Sequence, residues 1–184
     1  IDTYISAFRY VATMAREYAP NVAMVYSPND ISNWYFTVED FYPGDEYVDW
    51  VGMSSYCNKS SSASNTLSSG RDAYYCRGKY YENQIVKIKP IVDAFGDRKP
   101  IMITEGGYCY SSTSSDQTVE HAADAMKYFY TYVSRVYPEI KGIMYFNANF
   151  GGSYYRLFGT ENYNSELAEL YLSLKRSNPA MQYT

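Results

Sequence analysis

Histidine, tryptophan and cysteine are scarce in this chain, with one, two and three copies among 184 residues. The single imidazole, His121, and cysteines at positions 57, 76 and 109 match no zinc-ligand spacing, so a zinc centre is excluded. No apolar run approaches the ~18 residues a membrane-spanning helix requires, so no membrane partner is expected. Lysine and arginine nowhere cluster and the formal net charge is -4. Nucleic acid is therefore not an expected partner either, because phosphate binding needs concentrated positive charge. The segment "VYSPND" (25–30) lacks the glycines of a dinucleotide-binding turn. No metal or organic cofactor is implied.

Tyrosine is abundant instead, at 24 residues. A phenol joins a flat apolar face to a hydroxyl, which suits a surface that stacks on sugar rings and hydrogen-bonds to them. The same residues equally serve as core aromatics in place of Phe and Trp. With 46% hydrophobic and 20% charged residues, the chain is long enough for one domain, 1–184, with a sizeable core. Cys57 and Cys76 flank a polar, Ser-rich loop, "NKSSSASNTLSSG" (58–70), that they would staple if oxidised. Free thiols are the other reading. Cys109 is left odd, and His121, inside a helical pattern, makes a poor nucleophile partner for it. The cysteines and composition lead us to expect an extracellular, secreted protein whose leader has been removed, since no signal-peptide pattern opens the sequence.

The chain reads as a helix followed by four strand–helix units. Tyr4, Ile5, Phe8, Val11, Ala12, Ala15 and Tyr18 recur at helical spacing, ended by Pro20 and Asn21. Strands are predicted over "NVAMVY" (21–26), "YVDWVGMSS" (47–55), "PIMITE" (100–105) and "KGIMYFN" (141–147). Helices are predicted over "YYENQIVKIKPIVDAF" (80–95), kinked or split at Pro90, over "VEHAADAMKYFYTYVSRVY" (119–137), capped by Ser115 or Asp116, and over "SELAELYLSLKR" (165–176), capped by Asn164 or Ser165. Such alternation means a parallel sheet with right-handed crossovers. An open doubly wound sheet and part of a (β/α)8 barrel compete for it.

In "KPIMITEGGY" (99–108), a short apolar run ends on Glu105 and two glycines. A carboxylate there is either the first solvated residue of a loop or a group placed where parallel α/β enzymes keep their chemistry.

The segments "VYSPND", "FYPGDEYVDWVGMSSYCN", "KPIMITEGGY" and "IKGIMYFN", in this order, resemble the second half of glycoside hydrolase family 26, the β-mannanase-like members of a retaining (β/α)8 clan. "YPGDEYVDWVG" is the most specific piece. The resemblance implies the C-terminal half of a TIM barrel, strands 5 to 8 with their helices, with Glu105 at the seventh strand end as the nucleophile. Retaining hydrolysis needs such a carboxylate to attack the anomeric carbon and a second, roughly 5–5.5 Å away, to protonate the leaving oxygen. Gly106 and Gly107 would keep bulk from the sugar and permit unusual backbone angles. The resemblance also implies that Tyr56 orients the nucleophile and that Tyr145 and Tyr26 stand where the family commonly has tryptophans that stack on sugar. Asn29, Asp30, Trp34, Asn147 and Arg156 fall in strand-end loops, as cleft residues or as loop-stabilising ones.

In that family the acid/base glutamate ends the fourth strand, which would precede Ile1. Asp30 is a poor substitute, because it ends a different strand. The two open sheet edges of such a half are expected to be covered by a complementary N-terminal half that brings the second carboxylate, as a separate chain or a removed segment, or else by a second copy of this half. Two functions remain: a secreted endo-hydrolase of β-1,4-linked polysaccharide (mannan, or a related glucan or xylan), and a non-catalytic carbohydrate-binding or cell-surface assembly module derived from such a barrel.

Overall fold

The computed structural model describes residues 1–28, 37–57, 84–110, 118–150 and 152–181. Four strands, β1 (Val25–Tyr26), β2 (Trp50–Cys57), β3 (Ile101–Tyr108) and β4 (Ile140–Ile143), form a parallel sheet in chain order. The order contains no reversal. Doubly wound sheets reverse strand order and bind ligands at that point, whereas barrel strands follow one another in sequence. The sheet thus has the order of a barrel segment. Helix α1 (Asp2–Tyr18) precedes it, α2 (Gln84–Phe95) joins β2 to β3, α3 (Val119–Val136) joins β3 to β4, and α4 (Ser165–Ser177) follows.

The strands differ from the expected ones in length, and pairing explains why. β1 meets β2 at only two positions, because just before it the Asp49 carboxylate accepts from Met24 N–H at 2.7 Å. β3 runs past Glu105 to Tyr108, since β2 pairs with it as far as Cys57. β4 stops at Ile143, opposite Ile103. A hairpin absent from the sequence reading, β5 (Asn149–Phe150) with β6 (Ser153–Tyr154), follows it.

One face of the sheet carries the core. Val51, Met53, Ser55 and Cys57 of β2 are buried at alternate positions, as period-2 side-chain direction requires. Val51 and Met53 pack with Ile101 and Ile103 against Ile88, Ile91 and Phe95 of α2 and Met126 and Phe129 of α3. Each of these fully buried apolar side chains contributes roughly 1.5–3 kcal/mol. On α3 the buried stripe Ala122, Met126, Phe129, Val133 follows helical spacing. Its cap is Thr118, whose Oγ1 accepts from His121 N–H at 3.1 Å, in place of the expected Ser115 or Asp116, which lie outside the described residues. Asn164 caps α4 as expected, accepting from Leu167 N–H at 2.9 Å. α2 runs through Pro90 as one helix, not split, with Ile88, Ile91 and Phe95 holding it on the sheet.

α1 is covered on one side only. Ala12 is buried and Ile5, Phe8 and Ala15 are half-buried, but Tyr4, Val11 and Tyr18 of the same apolar set are exposed, Tyr18 by 71%. No helix among the described residues is long and apolar enough to cross a membrane.

Candidate functional site

Glu105 belongs to β3 and is exposed. Ile101 and Ile103 face the helices, so strict alternation would turn residue 105 the same way, into an apolar core. A bulge prevents this. Met53 pairs with Ile103 but the next residue, Ser54, pairs with Glu105, which leaves Thr104 as an extra residue in β3. The bulge moves Glu105 to the face of Gly52, Ser54 and Tyr56, the side of the sheet away from the helices.

Tyr56 reaches Glu105 from the neighbouring strand, and its hydroxyl donates to Oε1. The Tyr56 ring is held edge-on by Phe146 (5.8 Å between centroids) and Tyr155 (5.3 Å). Its phenol is pushed well above the ordinary range, first by burial and then by the hydrogen bond to Glu105 and the charge there. Tyr56 is accordingly a protonated donor over the whole physiological range, and the carboxylate is its acceptor.

The backbone under Tyr56 is anchored by two buried polar side chains of α2. Gln84 Nε2 donates to Ser55 O at 2.6 Å and Lys87 Nζ donates to Tyr56 O at 3.1 Å. Both residues are at least 95% buried. The sequence reading passed over them, although residues 84, 87, 88, 91 and 95 share one helical face, and a lysine in such an apolar set is a signal of a buried charge with a defined acceptor.

The glycines after Glu105 serve close approach rather than unusual backbone angles, which corrects one expectation. Neither has positive φ. A Cβ at residue 106 would overlap the Ser55 carbonyl of β2, and one at residue 107 would stand 3.0 Å from the Tyr155 ring.

The remaining predicted site residues divide. Tyr145 is half-buried, its ring stacked on Tyr108 (25° between planes) and tilted on Tyr171, and its hydroxyl donates to Tyr155 O at 2.8 Å. It thereby supports Tyr155, which in turn touches Tyr56. Tyr26 is 1% exposed, packs on Tyr42 and Phe95, and donates to Val38 O at 2.7 Å, so its ring offers no face to a ligand. The reason is register: Tyr26 pairs with Val51, which faces the helices. Asn147 is exposed, but its amide is committed to the following loop. Oδ1 accepts from Leu157 N–H and Phe158 N–H at 2.8 and 2.9 Å, and Nδ2 donates to Phe158 O at 2.8 Å. Arg156 donates from Nη1 to Glu161 O at 3.1 Å, while its carbonyl accepts from the Tyr110 hydroxyl. Asn29, Asp30 and Trp34 lie outside the described residues, as does the Cys57–Cys76 pairing, through Cys76. His121 Nε2 lies 4.0 Å from Cys57 Sγ.

Three aromatic residues missed by the sequence reading bear on the site. Tyr155 and Phe146 form the wall of Tyr56, and Phe150, at the tip of the β5–β6 hairpin, is 80% exposed. The clue to the hairpin was "NFGGSYY", a Gly-Gly flanked by aromatic residues. Among the described residues, no group of His, Cys, Asp or Glu is arranged to hold a metal ion.

The sheet is parallel and in sequential order, as in (β/α) barrels, and the Glu105 carboxylate with the Tyr56 phenol of the preceding strand lies toward the C-terminal strand ends, where such barrels carry their sites. The profile of glycosyl hydrolase family 26 matches residues 1–132, and the chain belongs to that family. The matched stretch contains Tyr56 and Glu105 but ends before Tyr145, Asn147 and Arg156. No curated protein matches the sequence. Among solved structures, the catalytic domain of the family 26 endo-β-1,4-mannanase of Bacillus sp. JAMB-750 is similar, with a TM-score of 0.52 and 21% identity over 94% of this chain. At that identity the likeness is one of fold. This chain spans 43% of the length of that domain.

Proposed function

We propose that this chain supplies the nucleophile-bearing half of a retaining endo-hydrolase of β-1,4-linked polysaccharide, with β-mannan as the preferred substrate. The observation that carries the reading is the Tyr56–Glu105 pair: an exposed carboxylate turned away from the core by a bulge and oriented by a half-buried, protonated phenol. Family membership supports glycoside hydrolysis, and the mannanase named above supports the choice of mannan.

In this reading Glu105 attacks the anomeric carbon and the leaving oxygen takes a proton from a second carboxylate supplied outside this chain. Water then cleaves the glycosyl–Glu105 ester, with that second group acting as base. Tyr56, donating to Oε1, keeps Glu105 pointed at the sugar. Phe150 offers an exposed ring for stacking beside the strand ends.

The complementary partner is the N-terminal half of the barrel. β1 and β4 each lack a second neighbour in the described sheet, and α1 exposes Tyr4, Val11 and Tyr18. Such edges and apolar surfaces are covered in a closed barrel. An extracellular setting follows from the substrate class, since a polysaccharide is too large to enter a cell.

The test is hydrolysis of soluble mannan by the protein with its complementary half present, compared with its Glu105→Gln variant. Turnover is expected to fall by about three orders of magnitude or more, as for removal of a nucleophile. The thermal midpoint is expected to hold, because Glu105 is exposed. Binding of mannan with no hydrolysis in the unaltered protein would instead make the chain a carbohydrate-binding module.

A further inference from the structure

The residue that forms the bulge, Thr104, is itself tied down, and the tie crosses a whole strand. Thr104 Oγ1 on β3 and Ser27 Oγ, the residue after β1, lie 2.5 Å apart and share a hydrogen bond. Between them runs β2. Neighbouring strands are about 4.8 Å apart, so side chains on the two strands flanking a third ordinarily cannot meet unless they are long. Here two of the shortest hydroxyl side chains meet because the residue beneath them is Gly52. A Cβ at position 52 would overlap Thr104 Cγ2 and stand 3.3 Å from Ser27 Oγ.

We propose that Ser27 and Thr104, meeting over Gly52, are positioning residues for Glu105: their hydroxyl bridge holds the β3 bulge that turns this carboxylate to the open face. The catalytic consequence rests on the hydrolase reading above, whereas the geometric one does not. Thr104 immediately precedes Glu105, and the side-chain direction of the whole strand changes parity at that residue. Were the extra residue absorbed and the alternation regular, Glu105 would follow Ile101 and Ile103 toward Ile88 and Met126, where a charge is not tolerated. Tyr56, on β2, would keep its place. The distance between Tyr56 and Glu105 is therefore the quantity the bridge controls.

The Ser27 and Thr104 hydroxyls bond to each other and Glu105 Oε1 accepts from Tyr56, so the effect of the bridge is read through Tyr56. In the full-length protein, the 13Cζ resonance of Tyr56, assigned by its loss in Tyr56→Phe, reports hydrogen bonding to the carboxylate at neutral pH. The reference for a broken bond is its position in Glu105→Ala. In Thr104→Val and in Ser27→Ala the resonance is expected to move toward that reference, and in Thr104→Ser, which keeps the hydroxyl, to stay at the wild-type position. Ser27→Ala guards against a Thr104→Val variant that fails to fold, because it removes only an oxygen from a solvent-facing pair.

On mannan, the two disrupting variants are expected to lose about 10- to 100-fold in kcat with KM within about twofold, the signature of a misaimed group rather than lost substrate contacts. Thr104→Ser is expected to recover most of that loss. A Tyr56 resonance unmoved in both disrupting variants overturns the proposal. A moved resonance with unchanged kcat overturns its catalytic consequence. If the unaltered protein hydrolyses no glycan, the hydrolase reading fails, and the Tyr56 resonance still decides the bridge.

Discussion

The hydroxyl of Tyr56 donates to Oε1 of Glu105 although the two residues are not register partners: Tyr56 lies opposite Gly107, and Glu105 opposite Ser54. The phenol reaches back along the neighbouring strand, and its ring is braced for that angle by Phe146 and Tyr155. The bond joins adjacent strands through side chains in their C-terminal halves, toward the end at which β/α barrels carry their sites.

Tyr56→Phe keeps the ring and its contacts and deletes the donor. A hydrogen bond to a charged group is worth about 1.5–3 kcal/mol, and each 1.36 kcal/mol off the barrier is tenfold in rate, so kcat is expected to fall by roughly 10- to 150-fold. Steady-state kinetics on mannan alongside a thermal melt check this. A variant with full kcat and a lowered melting temperature would make Tyr56 a packing residue only.

Lys87→Met removes a buried charged donor from the Tyr56 carbonyl. The unbranched thioether fits the space, so the loss is that of the bond, about 1.5–3 kcal/mol. Chemical denaturation is expected to show a lower midpoint at unchanged slope, together with reduced kcat, because Tyr56 loses its backbone anchor. A midpoint at or above wild type would mean that the lysine's desolvation outweighs its bond.

Asn147 distinguishes a loop clamp from a cleft residue. Asn147→Ala deletes three hydrogen bonds to Leu157 and Phe158, whereas Asn147→Asp keeps the acceptor for both N–H groups and loses only the donor to Phe158 O. The alanine variant is expected to be the less stable by about 1–2 kcal/mol. Equal stability of the two, with KM raised in both, would point to substrate contact instead.

Stability is expected to decline at alkaline pH. The phenols of Tyr26, Tyr56 and Tyr145 are raised above their ordinary 10.0, burial being the first cause in each. Tyr108 and Tyr130 are raised for the same first reason. A raised phenol stays protonated in the folded chain and ionises in the unfolded one. Its contribution is complete below pH ~10 and is lost as pH climbs from there toward the folded value. Urea unfolding at pH 8, 10 and 11 checks the trend. Tyr26→Phe is expected to make the alkaline decline shallower while costing about 1 kcal/mol at pH 8 for the lost bond to Val38.

Much of the framework was legible from patterning. The apolar stripe of α3 and the runs around Met53 and Ile103 record which faces are buried, because burial demands a period matched to backbone geometry. Glu105 and Tyr56 were legible through their place after apolar runs and through the family's motifs. Tyr26 was misread as a sugar platform, since a strand-end aromatic shows no sign in sequence of which face it takes when its strand has only two paired residues. Half of the α1 stripe is uncovered for a different reason: periodicity registers that a face is apolar, not which segment covers it.

The order of chemistry-bearing residues along the chain, the alternation of strands and helices and the excess of tyrosine belong to the sequence itself, because each is a local property. The direction of Glu105 does not. It depends on one unpaired residue in a ladder between β2 and β3, on the Ser27 hydroxyl just after β1, nearly eighty positions away, and on the absence of a side chain at Gly52. Strand register is a relation between distant segments, and a shift of a single residue exchanges the two faces of a sheet. Only the tertiary structure decides on which face the carboxylate stands.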